Sequence, residues 1–263
     1  MTEDLVSYYR DHWVNIEPER MSRYEAMFQW RDGQEVLIAP AGVSTGQTVV
    51  DYGCGPGGLA IELARRVGET GKVIGLDINA DFLEKTRDLA ENQGLSERIE
   101  THLLEGDQIP LSDESVDRVL CKNVLEYVPD PASTIAEFRR VLRPGGVAHV
   151  SDSDWGAVIF EPSEHFARIM TAAEVAFRTP LIGRNLYGMF RRAGFRDIQV
   201  SVLASADTSG ALRPVLTNMA SYAELSGEIE ASQISAFLED IDRALADETY
   251  FALLPQFLVT GVV

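Results

Sequence analysis

Two carboxylates bracket a run of glycines. In VVDYGCGPGGLA (residues 49–60) Asp51 precedes Gly53, Gly55, Gly57 and Gly58, and Asp77 follows nineteen residues after the last of them. Glycines let a backbone come close to a ligand. A strand that ends in them and feeds a helix brings N–H groups and the helix's positive end to one place. Gly53, Gly55 and Gly58 satisfy G-x-G-x-x-G, and an acid at the distance of Asp77 suits a bond to ribose hydroxyls, so a dinucleotide is one reading. Asp51 opposes it: a carboxylate two residues before the first glycine repels a pyrophosphate and suits a ligand with a cationic amine. Nor does any tyrosine precede a lysine at the Tyr-x-x-x-Lys spacing that a short-chain dehydrogenase needs.

A sheet must hold these groups. Apolar, β-branched runs at 48–53, 72–77, 99–105, 116–123 and 146–152 predict strands, and amphipathic stretches at 57–67, 80–93 and 131–142 predict the helices between them. Connectors this short make right-handed βαβ crossovers and a parallel sheet. RPGG at 143–146 stops a helix and turns the chain into the next strand. Beyond Asp152 come a long segment, a helix near Arg184–Arg192, a strand at 197–205 and an apolar stretch at 250–263. Between the last two lie two amphipathic patterns: Leu212, Val215, Leu216 and Met219, then Ile234, Phe237, Leu238, Ile241 and Leu245. These faces pack on a core or roof a pocket. The N-terminus predicts two helices, Thr2 capping the first and Pro18 in the first turn of the second.

The ligand that satisfies the glycine loop, the acid before it and the ribose acid after it is S-adenosylmethionine, with its ammonium, sulfonium and adenosine. Four stretches occur in order: VVDYGCGPGG, GLDIN, EGDQIPLSDESVD and NVLEYVPDPASTIAEFRRVLRPGG. With them the sequence resembles the class I S-adenosylmethionine-dependent methyltransferases, close in pattern to small-molecule enzymes of the ubiquinone/menaquinone-biosynthesis type. The likeness is strong over 48–152 and looser over 197–263.

The resemblance implies a doubly wound, Rossmann-like α/β fold with a seven-stranded, mostly parallel sheet and a terminal antiparallel strand. Residues 1–45 would form an N-terminal helical lid, 46–205 the cofactor-binding core, 206–249 a helical cap insertion and 250–263 the final core strand. It also implies roles. Gly53, Gly55 and Gly57 let the backbone approach the methionine portion, and Asp51 supports the loop and the ammonium end. Asp77 takes both ribose hydroxyls, and Ile78 packs on an adenine face. Asp107 accepts from the adenine amino group with Gln108 beside it. Asn123 faces the methionine end, and Val124 and Leu125 line the cofactor floor. Read as residues alone, Asp51 also suits a satisfied strand-end acid, Asp77 a helix cap and Asp107 a turn.

Methyl transfer is an in-line displacement at a carbon already activated by the sulfonium. Alignment can supply roughly 7–11 kcal/mol of barrier reduction, so no universal catalytic residue is required. An acceptor that must lose a proton uses a base, and a thioether needs none. Candidate bases are His12, Asp152 and Asp154. Tyr8, Tyr9, Trp13, Trp30 and Trp155 are candidates to wall the acceptor, and Arg184 to meet an acidic one. Their plainer roles are helix docking, loop capping and a solvated helix end. The alternative function is a non-methylating reaction on the same cofactor, a cyclisation or elimination, or binding without turnover.

The formal charge of −18, with lysine only at 72, 85 and 122, favours solubility and disfavours nucleic acid and anionic membrane. Cys54 and Cys121 are too few for a disulfide framework or a cysteine zinc site, and no His/carboxylate set has metal-ligand spacing. No metal is expected. The first ten residues lack a signal-peptide core, and no apolar run reaches membrane-span length. These features predict a cytoplasmic protein acting on a small-molecule acceptor, with neither nucleic-acid nor membrane partner. Its oligomeric state stays open.

Overall fold

The computed structural model describes residues 13, 14, 16, 21, 24, 25, 27–106 and 108–263. Tyr8, Tyr9, His12 and Asp107 lie outside the described residues. The strands are β1 (Thr48–Tyr52), β2 (Lys72–Asp77), β3 (Ile99–Leu103), β4 (Val116–Lys122), β5 (Leu142–Ser153), β6 (Ile159–Glu161), β7 (Arg196–Leu203), β8 (Phe251–Leu253) and β9 (Gln256–Val262). The longer helices are α1 (Gly58–Val67), α2 (Ala80–Asn92), α3 (Pro131–Val141), α4 (Phe166–Ala173), α5 (Ile182–Arg192), α6 (Arg213–Ser226) and α7 (Ala231–Ala246).

Seven strands make one sheet in the order β3-β2-β1-β4-β5-β9-β7. The first five are parallel, and β9 runs antiparallel to both β5 and β7. The alternation predicts the parallel part, and the resemblance implies the doubly wound, mostly parallel sheet with its antiparallel strand that is found. Its strands read as near-continuous apolar runs because both faces are covered. Val49 and Leu120 face a layer holding Leu63 and Ala64 of α1, whereas Val50 and Val119 face Phe138 of α3 and Phe190 of α5. Local chemistry sets the helix starts. Asn79 caps α2 by accepting from the Phe82 N–H, and Asp130 caps α3 by accepting from Ala132 and Ser133, with Pro131 in the first turn.

The chain winds outward from β1 through β2 and β3 on one side, and through β4 and β5 on the other. The crevice at the carboxyl ends of β1 and β4 is therefore the switch point, where open α/β sheets take ligands.

A second apolar core lies beyond the sheet. Phe160, Ile169 and Phe177, which precede α5, pack with Met219, Phe237 and Ile241 of the two amphipathic helices. Residues 159–177 thus share a core with 206–249, although α5 and β7 of the main layers lie between them in sequence. The 250–263 stretch holds two strands. β8 pairs with β6 outside the main sheet, and β9 enters the main sheet after Pro255, which has no N–H to continue a ladder.

Candidate active site

β1 delivers the chain into the glycine loop, and two glycines there have specific steric causes. Gly53 sits at φ 73°, and a Cβ on it would stand 2.3 Å from Cγ2 of Val124. A Cβ on Gly58 would stand 2.1 Å from the Phe28 carbonyl oxygen. The loop is pressed between the end of β4 and the N-terminal segment. Its N–H groups are already engaged: Gly53 and Cys54 both donate to the Leu76 carbonyl (2.7 and 3.0 Å), and Gly57 to the Cys54 carbonyl (3.1 Å). Gly55 donates to Oδ2 of Asp77 (2.8 Å). These four donors are therefore not free for a pyrophosphate, and the carboxylate of Asp51 opposes one by charge.

Asp77, at the end of β2, is nearly buried. Its Oδ1 accepts from the Asn79 N–H (2.9 Å) and its Oδ2 from Gly55, which leaves a lone pair on each oxygen for a further donor. Burial pushes this carboxyl up to about 6, and the backbone N–H bonds hold it from rising further. Asp51 is 1% exposed, and its Oδ2 is buried without a hydrogen-bond partner. Burial pushes it up to about 7, with Lys122 drawing it down and Asp77 adding a smaller upward push. Asn123, at φ 54°, donates its N–H to the Ser151 carbonyl (2.9 Å), and its Oδ1 is also buried and unpartnered. Two orphaned acceptors beside one switch point would cost free energy unless a donor fills them. An amino-acid ammonium supplies both donor and charge. The residues present thus fit a ligand that brings a cationic donor to this crevice, as S-adenosylmethionine does.

Around them, Val124 is half-buried against Gly53, and buried Leu125 donates its N–H to Oδ2 of Asp152 (2.9 Å). Asp152 is fully buried and raised to about 7 by desolvation. Ile78 is exposed just past Asp77, and Gln108 is exposed as well.

Other candidates stand apart. Asp154 and Arg184 hold each other: Nε donates to Oδ2 (2.7 Å) and Nη2 to Oδ1 (2.6 Å), while the Arg184 backbone N–H adds a third bond (3.1 Å). Trp155 stacks on Phe177 and donates Nε1–H to Oε2 of Glu126 (2.5 Å). Trp13 stacks on Tyr24 and meets Tyr127 edge-on, and its carbonyl accepts from Nδ2 of Asn79 (2.7 Å). That bond ties the N-terminal segment to the residue two past Asp77. Trp30 lines a cleft of about 500 Å³ with Pro56, Gly58 and Ile61. Neither Asp51, Asp77 nor Asn123 borders this cleft.

Sequence reasoning passed over Lys122 and Glu126. Glu126 is 2% exposed, and burial holds its carboxyl well above the usual range. The available signal was a lysine and a glutamate inside an otherwise apolar run, VLCKNVLEYV, since such residues are seldom buried without a task.

Residues 44–194 match the methyltransferase-domain family, a span that runs from before β1 through α5. The chain belongs to that family. This methyltransferase-family chain is 34% identical over 137 residues to the 2-phytyl-1,4-naphtoquinone methyltransferase of Trichormus variabilis, covering 51% of this chain and 58% of that protein. It is 36% identical over 106 residues to the ubiquinone/menaquinone biosynthesis C-methyltransferase UbiE of Escherichia coli O1:K1, covering 40% and 42% respectively. The resemblance carried by the four motifs therefore holds. The chain spans about half the length of the curated relatives it matches. Phosphoethanolamine N-methyltransferase 2 of Haemonchus contortus, solved with S-adenosyl-L-methionine, shares the fold at a TM-score of 0.66 and 16% identity, over 97% of this chain and 59% of that one.

Proposed function

We propose that the protein transfers a methyl group from S-adenosylmethionine to a small-molecule acceptor. The observation that carries this reading is the buried, unpartnered carboxylate oxygen of Asp51 beside the glycine loop. Such an oxygen rewards a cation and repels a phosphate.

Bound S-adenosylmethionine supplies an electrophilic methyl group on a positively charged sulfur. This chain's residues bind and orient. Asp51 and the Asn123 amide oxygen hold the ammonium, with Gly53, Gly55 and Gly57 forming the floor beneath the methionine portion. Asp77 would accept from the ribose hydroxyls and Ile78 would pack on the adenine, with Asp107 and Gln108 the residues to meet its amino group. Val124 and Leu125 line the adjoining wall. The aromatic cluster of Trp13, Tyr24 and Tyr127, latched to Asn79, screens the crevice from water, and exclusion of water strengthens the field of the carboxylates on a cation.

A small acceptor follows from the strongly negative chain, which repels nucleic acid. No helix among the described residues is long and apolar enough to cross a membrane, and both cysteines are free; these features support a cytoplasmic setting. Calorimetric titration with S-adenosylhomocysteine tests the cofactor reading, and conversion of S-adenosylmethionine to S-adenosylhomocysteine in the presence of acceptor tests transfer. Heat from NAD instead, or turnover without S-adenosylhomocysteine, would replace this reading with another.

A further inference from the structure

Lys122 ends β4, and the sheet register shows where it points. Cys121 pairs with Tyr52 and faces the layer of α3. Alternation therefore turns Lys122 to the opposite face, the one shared by Leu120 and Asp51, which pair with each other. Its partner on β5 is Ser151; Ser153, two residues on, pairs with Gln256 of β9 and accepts from its Nε2 (2.7 Å). Lys122, Ser151, Ser153 and Gln256 thus occupy one face at the carboxyl ends of β4 and β5 and the facing start of β9.

This patch has unmet hydrogen-bonding capacity. The Ser151 Oγ and Gln256 Oε1 are buried without a partner. No carboxylate among the described residues comes within ion-pair distance of the Lys122 ammonium, and Asp51, Asp152 and Glu126 act on it only through their field. Lys122 nevertheless keeps part of its surface open, which gives an incoming molecule access. In the sheet order the ribose acid is on β2 and the ammonium acid on β1. The acceptor must then approach from β4, β5 and β9, where these groups stand.

We propose that Lys122 is the base of the reaction, taking the proton from an acidic hydroxyl, a phenol or enol, that Ser151 and Gln256 hold in place. The inference rests on the methyl-transfer reading above. The neutral amine accepts the hydroxyl proton and becomes an ammonium paired with the oxyanion. A lone pair of that oxygen forms the new bond to the methyl carbon as the carbon–sulfur bond breaks. Its electron pair stays on sulfur, leaving neutral S-adenosylhomocysteine, and the ammonium then gives its proton to solvent. Burial lowers the lysine's hold on its proton, with the three acids opposing.

The test uses two chromophoric phenols that ionise near neutrality, 4-nitrophenol and 7-hydroxycoumarin, added to the protein saturated with S-adenosylhomocysteine just below each probe's own pKa. The wild type should bind a probe with the absorption of its anion and, in buffers of different ionisation enthalpy, exchange little proton with solvent. Lys122→Met should lose the anion band and bind the probe about tenfold or more weakly, while an unaltered circular dichroism spectrum and a cooperative thermal transition show an intact fold. Lys122→Arg should restore the anion band but release about one proton per probe, because a guanidinium pairs with an oxyanion and cannot take its proton. An anion band that survives Lys122→Met overturns the proposal, as does failure of both probes to bind a wild type that still takes S-adenosylhomocysteine. Loss of S-adenosylhomocysteine binding in the wild type overturns the earlier reading and this one with it.

Discussion

Asp51 and Asp154 are both sealed from solvent, at 1% and 0% exposure, yet they differ in what meets them. Asp154 has three bonds from Arg184, two from the guanidinium and one from its backbone. Asp51 has an oxygen that nothing meets. One acid is closed by the fold itself, and the other keeps an acceptor open, which on the proposed reading an ammonium fills. Burial therefore does not separate structural acids from ligand-binding ones; the tally of partners does, because an unmatched buried charge must be offset by protonation or by a ligand.

The comparison breaks most visibly at Arg184. Arg184→Ala leaves a fully buried carboxylate with one backbone donor and should lower unfolding free energy by about 3 kcal/mol, read by denaturant titration, with the dissociation constant for S-adenosylhomocysteine unmoved. A change in that constant would place the pair in the binding site after all. Asp77→Asn is the converse. It should weaken S-adenosylhomocysteine about a hundredfold, or about 2.7 kcal/mol, while the melting temperature of the free protein shifts little. Asparagine keeps one acceptor for the Gly55 or Asn79 N–H and removes a buried charge. Equal losses of stability and affinity would mean that Asp77 merely ties the loop to β2.

Trp155→Phe probes an intermediate case. Glu126 loses its indole donor, and the protein should lose about 1.5 kcal/mol of stability with cofactor affinity retained; an unaltered denaturation midpoint would remove Glu126 from the closed acids. The smallest effect is the titration of Asp51. Its carboxyl is raised from 3.8 to about 7 in the folded chain, so its contribution to stability is fully present below pH 3.8 and is lost as pH rises through 7. Ligand binding has the opposite sign, since an ammonium needs the ionised acid. Affinity for S-adenosylhomocysteine should fall by up to about tenfold per unit below pH 7. Asp77, raised to about 6, steepens the lower part of that limb. Calorimetry across this range, repeated on Asp51→Asn, separates the two, and a flat wild-type profile would make Asp51 another closed acid.

Legibility followed distance along the chain. The strand–helix alternation and the placement of Asp77 at the end of β2 were readable because each depends on neighbours a few residues away. Trp155 shows the limit. Its loop position made it a candidate to touch an acceptor, but its ring lies on Phe177 and its N–H on Glu126, 29 residues back in sequence. Arg184 read as a solvated or acceptor-binding arginine for the same reason, since nothing local announces Asp154 thirty residues before it. The helical cap was visible as two amphipathic faces, and its share of residues 159–177 was not, because an apolar face does not name its partner.

From the sequence alone came the βαβ winding, the bare turn after β1 and the acids on either side of it, all consequences of periodicity and of backbone angles that act within a few residues. Tertiary structure alone decided which acids are answered and which are left open, and which polar groups of β4, β5 and β9 share one face. Those outcomes depend on burial and register between segments as much as a hundred residues apart, where free energy is set by the partners that arrive and not by the residue that waits for them.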